Sequence, residues 1–145
     1  MDAWHRLKRV LGAGLGAAAI ALAGCAGILT TNRVEVFLSG AEQVPPVSTA
    51  ATGSGMFVVE EDRSVSGYVT VSGLVPVAAH IHTGARGRNG GVAIGLVKTS
   101  DNTWSVPAGA KFSDAQNQAF RAGETYVNVH TAANKGGEIR AQLRP

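Results

Sequence analysis

The chain has 145 residues, of which 19 are glycine and one is cysteine, and a formal net charge of +3. This length is that of a single domain, and abundant glycine with few aromatic residues favours short strands and turns over a helical bundle. Only ten basic and nine acidic residues follow position 24, and they are scattered. This charge pattern lacks the basic stripe of a nucleic-acid-binding protein, so nucleic acid is not indicated as a partner.

The first 24 residues have the parts of a secretory signal peptide. Arg6, Lys8 and Arg9 form a positive start, and the apolar run 10–23 follows and ends in small residues. As a helix this run would rise about 21 Å, which is short of the ~30 Å hydrocarbon core of a bilayer. The pattern therefore predicts that residues 1–24 are a cleaved export signal and not a transmembrane span.

The predicted signal ends in Leu-Ala-Gly-Cys at 22–25, which resembles the lipobox of bacterial lipoproteins. In that class the cysteine sulfur receives diacylglycerol and cleavage occurs just before it. The resemblance implies a lipid (palmitate-type) anchor on Cys25, with residues 25–32 as a short tether. Ala26 stands where an inner-membrane retention signal has aspartate, which implies the outer membrane, facing the periplasm of a Gram-negative host. The alternative is an ordinary signal peptide with a chance cysteine.

Residues 33–145 carry short strand patterns punctuated by glycine and proline. The predicted strands are 33–39, 56–60, 65–72, 77–83, 92–98, 103–106, 125–131 and 138–143. We predict an all-β fold, a Greek-key-like β-sandwich of about eight short strands, with Pro45–Gly55 irregular. One short helix is predicted between a capping box formed by Ser113 and Gln116 and a terminating Gly123.

Two histidines share one face of the predicted strand 77–83. Residues two apart on a strand project from the same side, so His80 and His82 point together while Ile81 points into the core. On this ground alone the two imidazoles are either exposed strand histidines or the start of a metal site.

The third histidine of this region lies on the predicted strand 125–131. Its alternation places Val127 and Val129 inward and leaves Tyr126, Asn128 and His130 facing outward. If the two strands are neighbours, His80, His82 and His130 meet on the outside of the sandwich. Three imidazoles with an open position suit Cu or Zn, and the alternative is that the histidines are incidental.

Other polar groups make weaker candidates. Glu138 and Arg140 are predicted to point outward from the last strand as a charge pair. Glu42, beside a Pro-Pro turn, is either a ligand or a solvated turn residue. The run Gly84–Gly91 lacks the strand and helix context of a phosphate loop and is predicted to be a tight turn, although its two arginines, Arg86 and Arg88, could attract an anion.

No enzyme signature is present in the predicted domain. Cysteine is absent after Cys25, which excludes a thiol nucleophile, and no Ser/His/Asp arrangement or carboxylate pair stands out. We therefore expect a protein without enzymatic activity.

Three separated segments resemble the CHRD (chordin) domain. They are LSGAEQVPPV at 38–47, AHIHTG at 79–84 with Gly87 and Gly90, and YVNVHT at 126–131 with GEIRAQL at 137–143. The resemblance spans residues 34–143 and implies an extracytoplasmic β-domain, since chordin is an extracellular antagonist of signalling proteins and bacterial members are exported. Gly91 replaces a proline that the family usually has, and another usual proline is missing near Lys135.

The H-x-H strand is also similar to the copper-binding strand of Cu/Zn superoxide dismutases, which share the sandwich architecture. Those enzymes use more histidines, an aspartate and a disulfide, which this chain cannot reproduce. The sequence thus predicts a lipid-anchored periplasmic binding module with a Cu or Zn site at His80, His82 and His130. The alternatives are a structural or protein-interaction lipoprotein without metal and a dismutase-like redox protein. No protein partner is indicated.

Overall fold

The computed structural model describes residues 33–145; the predicted signal peptide, Cys25 and the tether lie outside the described residues. The strands are β1 Arg33–Ser39, β2 Thr52–Val59, β3 Val65–Ser72, β4 Ala78–Thr83, β5 Val92–Gly95, β6 Val97–Lys98, β7 Thr103–Ser105, β8 Thr125–His130 and β9 Ile139–Leu143. A helix, α1 Asp114–Arg121, precedes β8, and a 3₁₀ turn, Gly40–Glu42, follows β1. Within this part of the chain, no helix is long and apolar enough to cross a membrane.

The nine strands form one antiparallel sheet in the order β5-β4-β8-β9-β1-β2-β3-β7-β6. The edge strands β5 and β6 are consecutive in the chain and only Leu96 separates them. Because the chain passes directly from one edge strand to the other, the sheet folds round until its two edges meet. The Leu96 amide donates to the carbonyl of Ala79 in β4 at 2.9 Å. This arrangement confirms the predicted all-β sandwich, with the predicted strand 92–98 divided at Leu96.

The core lies inside the folded sheet and follows the alternation of the strands. Val34, Val36 and Leu38 are buried along β1 while their neighbours are exposed. Because one side of each strand meets the opposite layer, period-two patterning is the expected signature of this sandwich. Within residues 33–145, the strands, helix α1 and the buried core pack together as one unit.

The helix α1 begins and ends as predicted. The Ser113 side chain accepts from the Gln116 amide at 3.2 Å, and the Gln116 side chain accepts from the Ser113 amide at 2.8 Å. Gly123, just beyond the helix, has a φ of +71°, a conformation that glycine adopts without steric cost. Phe120 is fully buried and joins the helix to the core.

The prediction that Pro45–Gly55 is irregular is wrong for its last four residues. Strand β2 begins at Thr52, which pairs with Ser39 of β1 and Ser72 of β3. Gly55 lies so close to the backbone of β3 that a Cβ atom would overlap the carbonyl oxygen of Tyr68. The glycine that suggested a loop is thus required by close strand packing.

Candidate metal centre

Strands β4 and β8 are hydrogen-bonded neighbours, as the convergence of the histidines requires. Their register pairs Ala78 with His130, His80 with Asn128 and His82 with Tyr126. His80 and His82 therefore share a face with His130, which lies diagonally across from His80. Ile81, between the first two, is fully buried in the core.

The three imidazoles are close enough to share an ion. Nδ1 of His80 lies 3.0 Å from Nε2 of His130, and one nitrogen from each ring lies within 4.8 Å of the others. Ligands at 2.0–2.1 Å from one ion are at most about 4 Å apart. Side-chain adjustment of less than about 1 Å would bring all three nitrogens within that limit.

Two of the rings are oriented by backbone carbonyls. Nδ1 of His82 lies 3.0 Å from the Gly90 carbonyl oxygen, and Nδ1 of His130 lies 2.9 Å from that of Lys135. A carbonyl can only accept, so each Nδ1 carries a proton, and in the neutral ring the lone pair is on Nε2. Metal-binding histidines are commonly oriented in this way.

Nε2 of His82 is a buried polar atom without a hydrogen-bond partner among the described residues. Buried polar groups are nearly always satisfied, and an exception indicates a missing ligand, ion or water. His82 belongs to the three-histidine cluster. The site therefore contains a donor atom that a metal ion would satisfy.

The protonation state also suits metal binding. Burial is the main cause that lowers the pKa of His80, and the neighbouring His130 and His82 lower it further. Burial likewise lowers the pKa of His82, although the Gly90 carbonyl opposes the shift. Both rings are therefore neutral at pH 7, the form that coordinates metals.

A three-membered stack supports His82. The His82 and Tyr126 rings are nearly parallel, with centroids 4.9 Å apart and an interplanar angle of 7°. The guanidinium carbon of Arg140 lies 3.5 Å from the Tyr126 centroid. Because β4 and β9 flank β8 on opposite sides, the Tyr126 ring lies between His82 and Arg140.

The expectation that Tyr126 and Asn128 face outward as exposed residues is wrong. Val127 and Val129 do point into the core, but Tyr126 and Asn128 are each only 2% exposed. The loop 84–91 covers this face, and its Gly90 amide donates to the Tyr126 hydroxyl at 3.1 Å. The polar face of β8 is thus a second buried layer beneath a loop.

The predicted outward charge pair of Glu138 and Arg140 is also wrong. Arg140 is 1% exposed and donates to four neutral acceptors: the carbonyls of Arg88 and Ala85 and the side-chain oxygens of Asn89 and Gln142. Glu138 instead accepts from the side chains of Thr49, Thr131 and Asn134. The hydrogen bonds from Thr131 and Thr49 are the main cause that lowers the pKa of Glu138.

The profile of the CHRD domain matches residues 34–143, which is most of the chain. The chain belongs to the CHRD domain family. Neither the search of curated proteins nor that of solved structures found a match.

The structure explains why the three CHRD segments occur together. Gln43, from the first segment, donates to the Asn128 side chain of the third at 2.6 Å. Asn128 in turn donates to the Gly136 carbonyl at 3.0 Å. The middle segment supplies His80 and His82 beside them. The segments that identify the CHRD domain therefore assemble the polar layer around the histidines.

Two contacts join the loop 84–91 to the first CHRD segment. Glu42 forms an ion pair with Arg86 at 2.6 Å and is not part of the histidine cluster. Asn89 donates to the Val44 carbonyl at 2.7 Å, which ties the glycine-rich loop to the first CHRD segment. The run Gly84–Gly91 is thus a covering turn, in agreement with the prediction. Arg88, the other proposed anion-attracting residue, is exposed.

Sequence reasoning found the three histidines but not the residues that hold them. Tyr126, Asn128 and Arg140 orient the site or its covering loop, and alternation alone assigned all three to the solvent side. Each of the three lies within a CHRD segment, and this position was a signal in the sequence that the residue is buried and not solvated. Gly90 lies beside these segments and contacts two of the site residues.

Proposed function

We propose that this CHRD domain is a non-enzymatic module that binds copper or zinc through His80, His82 and His130. The observation that carries the proposal is the unpartnered buried Nε2 of His82 in a cluster with the nitrogens of the other two histidines. Imidazole nitrogen is a preferred ligand of both metals, and three such ligands leave a position open.

The arrangement around the rings supports metal binding over an incidental cluster. The residues come from two strands 50 positions apart in the chain, yet the His82 and His130 rings are each oriented by a backbone carbonyl, and the His82 ring also stacks on Tyr126. Such support reduces the entropy lost when an ion is bound.

Titration of purified residues 26–145 with Cu(II) and Zn(II) tests the proposal. We expect one ion per chain in the wild type and at least about a tenfold loss of affinity in His80→Ala and His130→Ala, since each removes one of three ligands. Glu42→Gln is the matched control, because Glu42 is a potential ligand outside the cluster, and it should bind as the wild type does. Equal binding by all four proteins would refute the site.

We further propose that the domain is anchored by lipid on Cys25 to the outer membrane and faces the periplasm. The support is the lipobox-like sequence 22–25 and the short distance to the domain, which begins with β1 at Arg33. An extended tether over 25–32 would reach at most about 27 Å, so the domain would be held near the membrane surface.

Expression of the full chain in a Gram-negative host with labelled palmitate tests the anchor. We expect label on the wild type and its loss in Cys25→Ser, together with transfer of the variant from the outer-membrane fraction to the soluble periplasmic fraction. A mature N-terminus elsewhere than Cys25, or label that persists in Cys25→Ser, would contradict the proposal.

A further inference from the structure

We infer that the histidine cluster favours tetragonal coordination and therefore selects Cu(II) over Zn(II). The inference rests on the proposed metal-binding function and adds the identity of the ion. It follows from the unequal spacing of the three ligand nitrogens and from the contacts that maintain this spacing.

The spacing distinguishes two geometries. In a tetrahedral site with bonds of 2.0–2.1 Å, every pair of ligand nitrogens is about 3.3 Å apart. In a tetragonal site neighbouring ligands are about 2.9 Å apart and opposite ligands about 4.1 Å apart. In the cluster, Nδ1 of His80 and Nε2 of His130 are 3.0 Å apart, and the three ligand atoms lie within 4.8 Å of one another. The ring centroids are unequally spaced: 4.8 Å for His80 and His130, 5.5 Å for His80 and His82, and 6.0 Å for His82 and His130.

The short pair already has the separation of two neighbouring tetragonal ligands. A pair at the 4.8 Å limit needs to close by about 0.7 Å to become an opposite pair, but by about 1.5 Å to become a tetrahedral pair. Tetragonal nitrogen ligation is typical of Cu(II), whereas Zn(II) in structural and catalytic sites is tetrahedral.

Contacts outside the cluster resist the larger movement. His82 is held by the Gly90 carbonyl and by the face of Tyr126, and His130 by the Lys135 carbonyl. Drawing the rings into a tetrahedron requires the larger movement and acts against these contacts. The surrounding structure therefore disfavours the geometry that Zn(II) requires.

The fourth equatorial position would be occupied from outside the described chain. The metal-ligand cluster in residues 33–145 consists of the three histidines alone. His80 and His130 are half-buried, so the open position lies toward the accessible side of the site. A water molecule or a small exogenous ligand completes the Cu(II) plane.

Spectroscopy of the metal-loaded domain tests the inference separately from metal binding itself. Cu(II)-loaded residues 26–145 should give an axial electron paramagnetic resonance spectrum with nitrogen hyperfine structure. The Co(II)-loaded protein should show only the weak visible absorption of a non-tetrahedral ion. An intense tetrahedral Co(II) spectrum would overturn the inference and leave the proposed function intact, whereas failure to bind any ion would overturn both.

A competition experiment provides the second test. Cu(II) binds most nitrogen sites more tightly than Zn(II), so the reference is a flexible peptide with three histidines. We expect the Cu(II)/Zn(II) affinity ratio of the domain to exceed that of the peptide by at least about tenfold. In Gly90→Ala, which keeps all three ligands but displaces the carbonyl that holds His82, the ratio should fall toward the peptide value. A wild-type ratio equal to that of the peptide would contradict geometric selection.

Discussion

Nδ1 of His80 lies 3.0 Å from Nε2 of His130, although fifty residues separate them in the chain. Since Nδ1 of His130 is bonded to the Lys135 carbonyl, its Nε2 is the acceptor and His80 provides the proton of this contact. A metal ion would take the place of that single proton. Metal binding and proton binding therefore compete at this pair of atoms.

Burial of His80 and His82 predicts that the stability of the metal-free domain depends on pH. The folded-state pKa values of His80 and His82 are lowered, chiefly by burial, so the unfolded chain binds protons more readily. Their contribution is present above the ordinary histidine pKa of about 6.5 and stability declines as the pH falls below it. The urea midpoint should thus decrease between about pH 7.5 and 5.5, a window above the titration of carboxylates.

The variant His80→Gln identifies the source of this decrease. It removes one of the two histidines whose pKa is lowered in the folded state, so its urea midpoint should fall less over the same pH range. Saturating Cu(II) should add ~2.7 kcal/mol to the free energy of unfolding at about 100 times its Kd, and this gain should shrink as the pH falls because protons compete with the ion for the imidazoles. Identical pH profiles in the wild type and the variant would exclude His80 as the titrating group.

Adjacent glycines of the covering loop are predicted to respond differently to the same substitution. A Cβ atom on Gly90 would overlap the Thr83 carbonyl, whereas one on Gly91 would meet nothing within 4 Å. Gly90→Ala should lower the free energy of unfolding by about 1–3 kcal/mol and weaken metal binding, since it displaces the carbonyl that orients His82. Gly91→Ala should stay within about 0.5 kcal/mol of the wild type.

Chemical denaturation and metal titration of both variants check this prediction. The comparison is well matched because the residues are neighbours, the substitution is the same and the loop is exposed at both positions. Equal behaviour of the two variants would show that contact with Thr83 does not fix the loop.

The sheet was predictable from sequence wherever burial is one-sided. In β1 the alternation of the apolar Val34, Val36 and Leu38 with mostly polar residues predicted the strand, because one face meets the core and the other meets water. The H-x-H spacing likewise determined that His80 and His82 share a face. Both inferences depend only on local backbone geometry.

The burial of the opposite face was not predictable from alternation. Tyr126, Asn128 and Arg140 follow the pattern of a solvated face, yet segments from other parts of the chain cover them. Period-two patterning reports that two faces differ, and it carries no information about what packs on the polar one. The hydrogen bonds that bury these residues join positions up to 85 residues apart.

The capping box of α1 was predictable because it is local, and it makes its own prediction. Ser113→Ala removes the side chain that accepts from the Gln116 amide, so the free energy of unfolding should fall by about 1 kcal/mol. Ser113→Asp retains an acceptor and should stay close to the wild type. A Ser113→Ala midpoint in urea equal to that of the wild type would show that α1 does not depend on this cap.

Arg140 is predicted to be a principal support of the covering loop. Its guanidinium stacks on Tyr126 and donates to the carbonyls of Ala85 and Arg88, and lysine cannot reproduce this planar set of donors. Arg140→Lys should therefore lower the free energy of unfolding by at least about 2 kcal/mol, because it removes hydrogen bonds made by a buried charged group. Arg144→Lys, the same change at an exposed position just after the end of β9, should cost less than about 0.5 kcal/mol.

Hydrogen exchange of the loop amides distinguishes this role from a general loss of stability. If Arg140 holds the loop, the Gly90 amide, which donates to Tyr126, should exchange faster in Arg140→Lys while amides of β2 and β3 retain their relative protection. Metal affinity should decrease together with that protection, since the Gly90 carbonyl orients His82. Unchanged protection of the Gly90 amide would mean that the contacts of Asn89 and Gly90 hold the loop without Arg140.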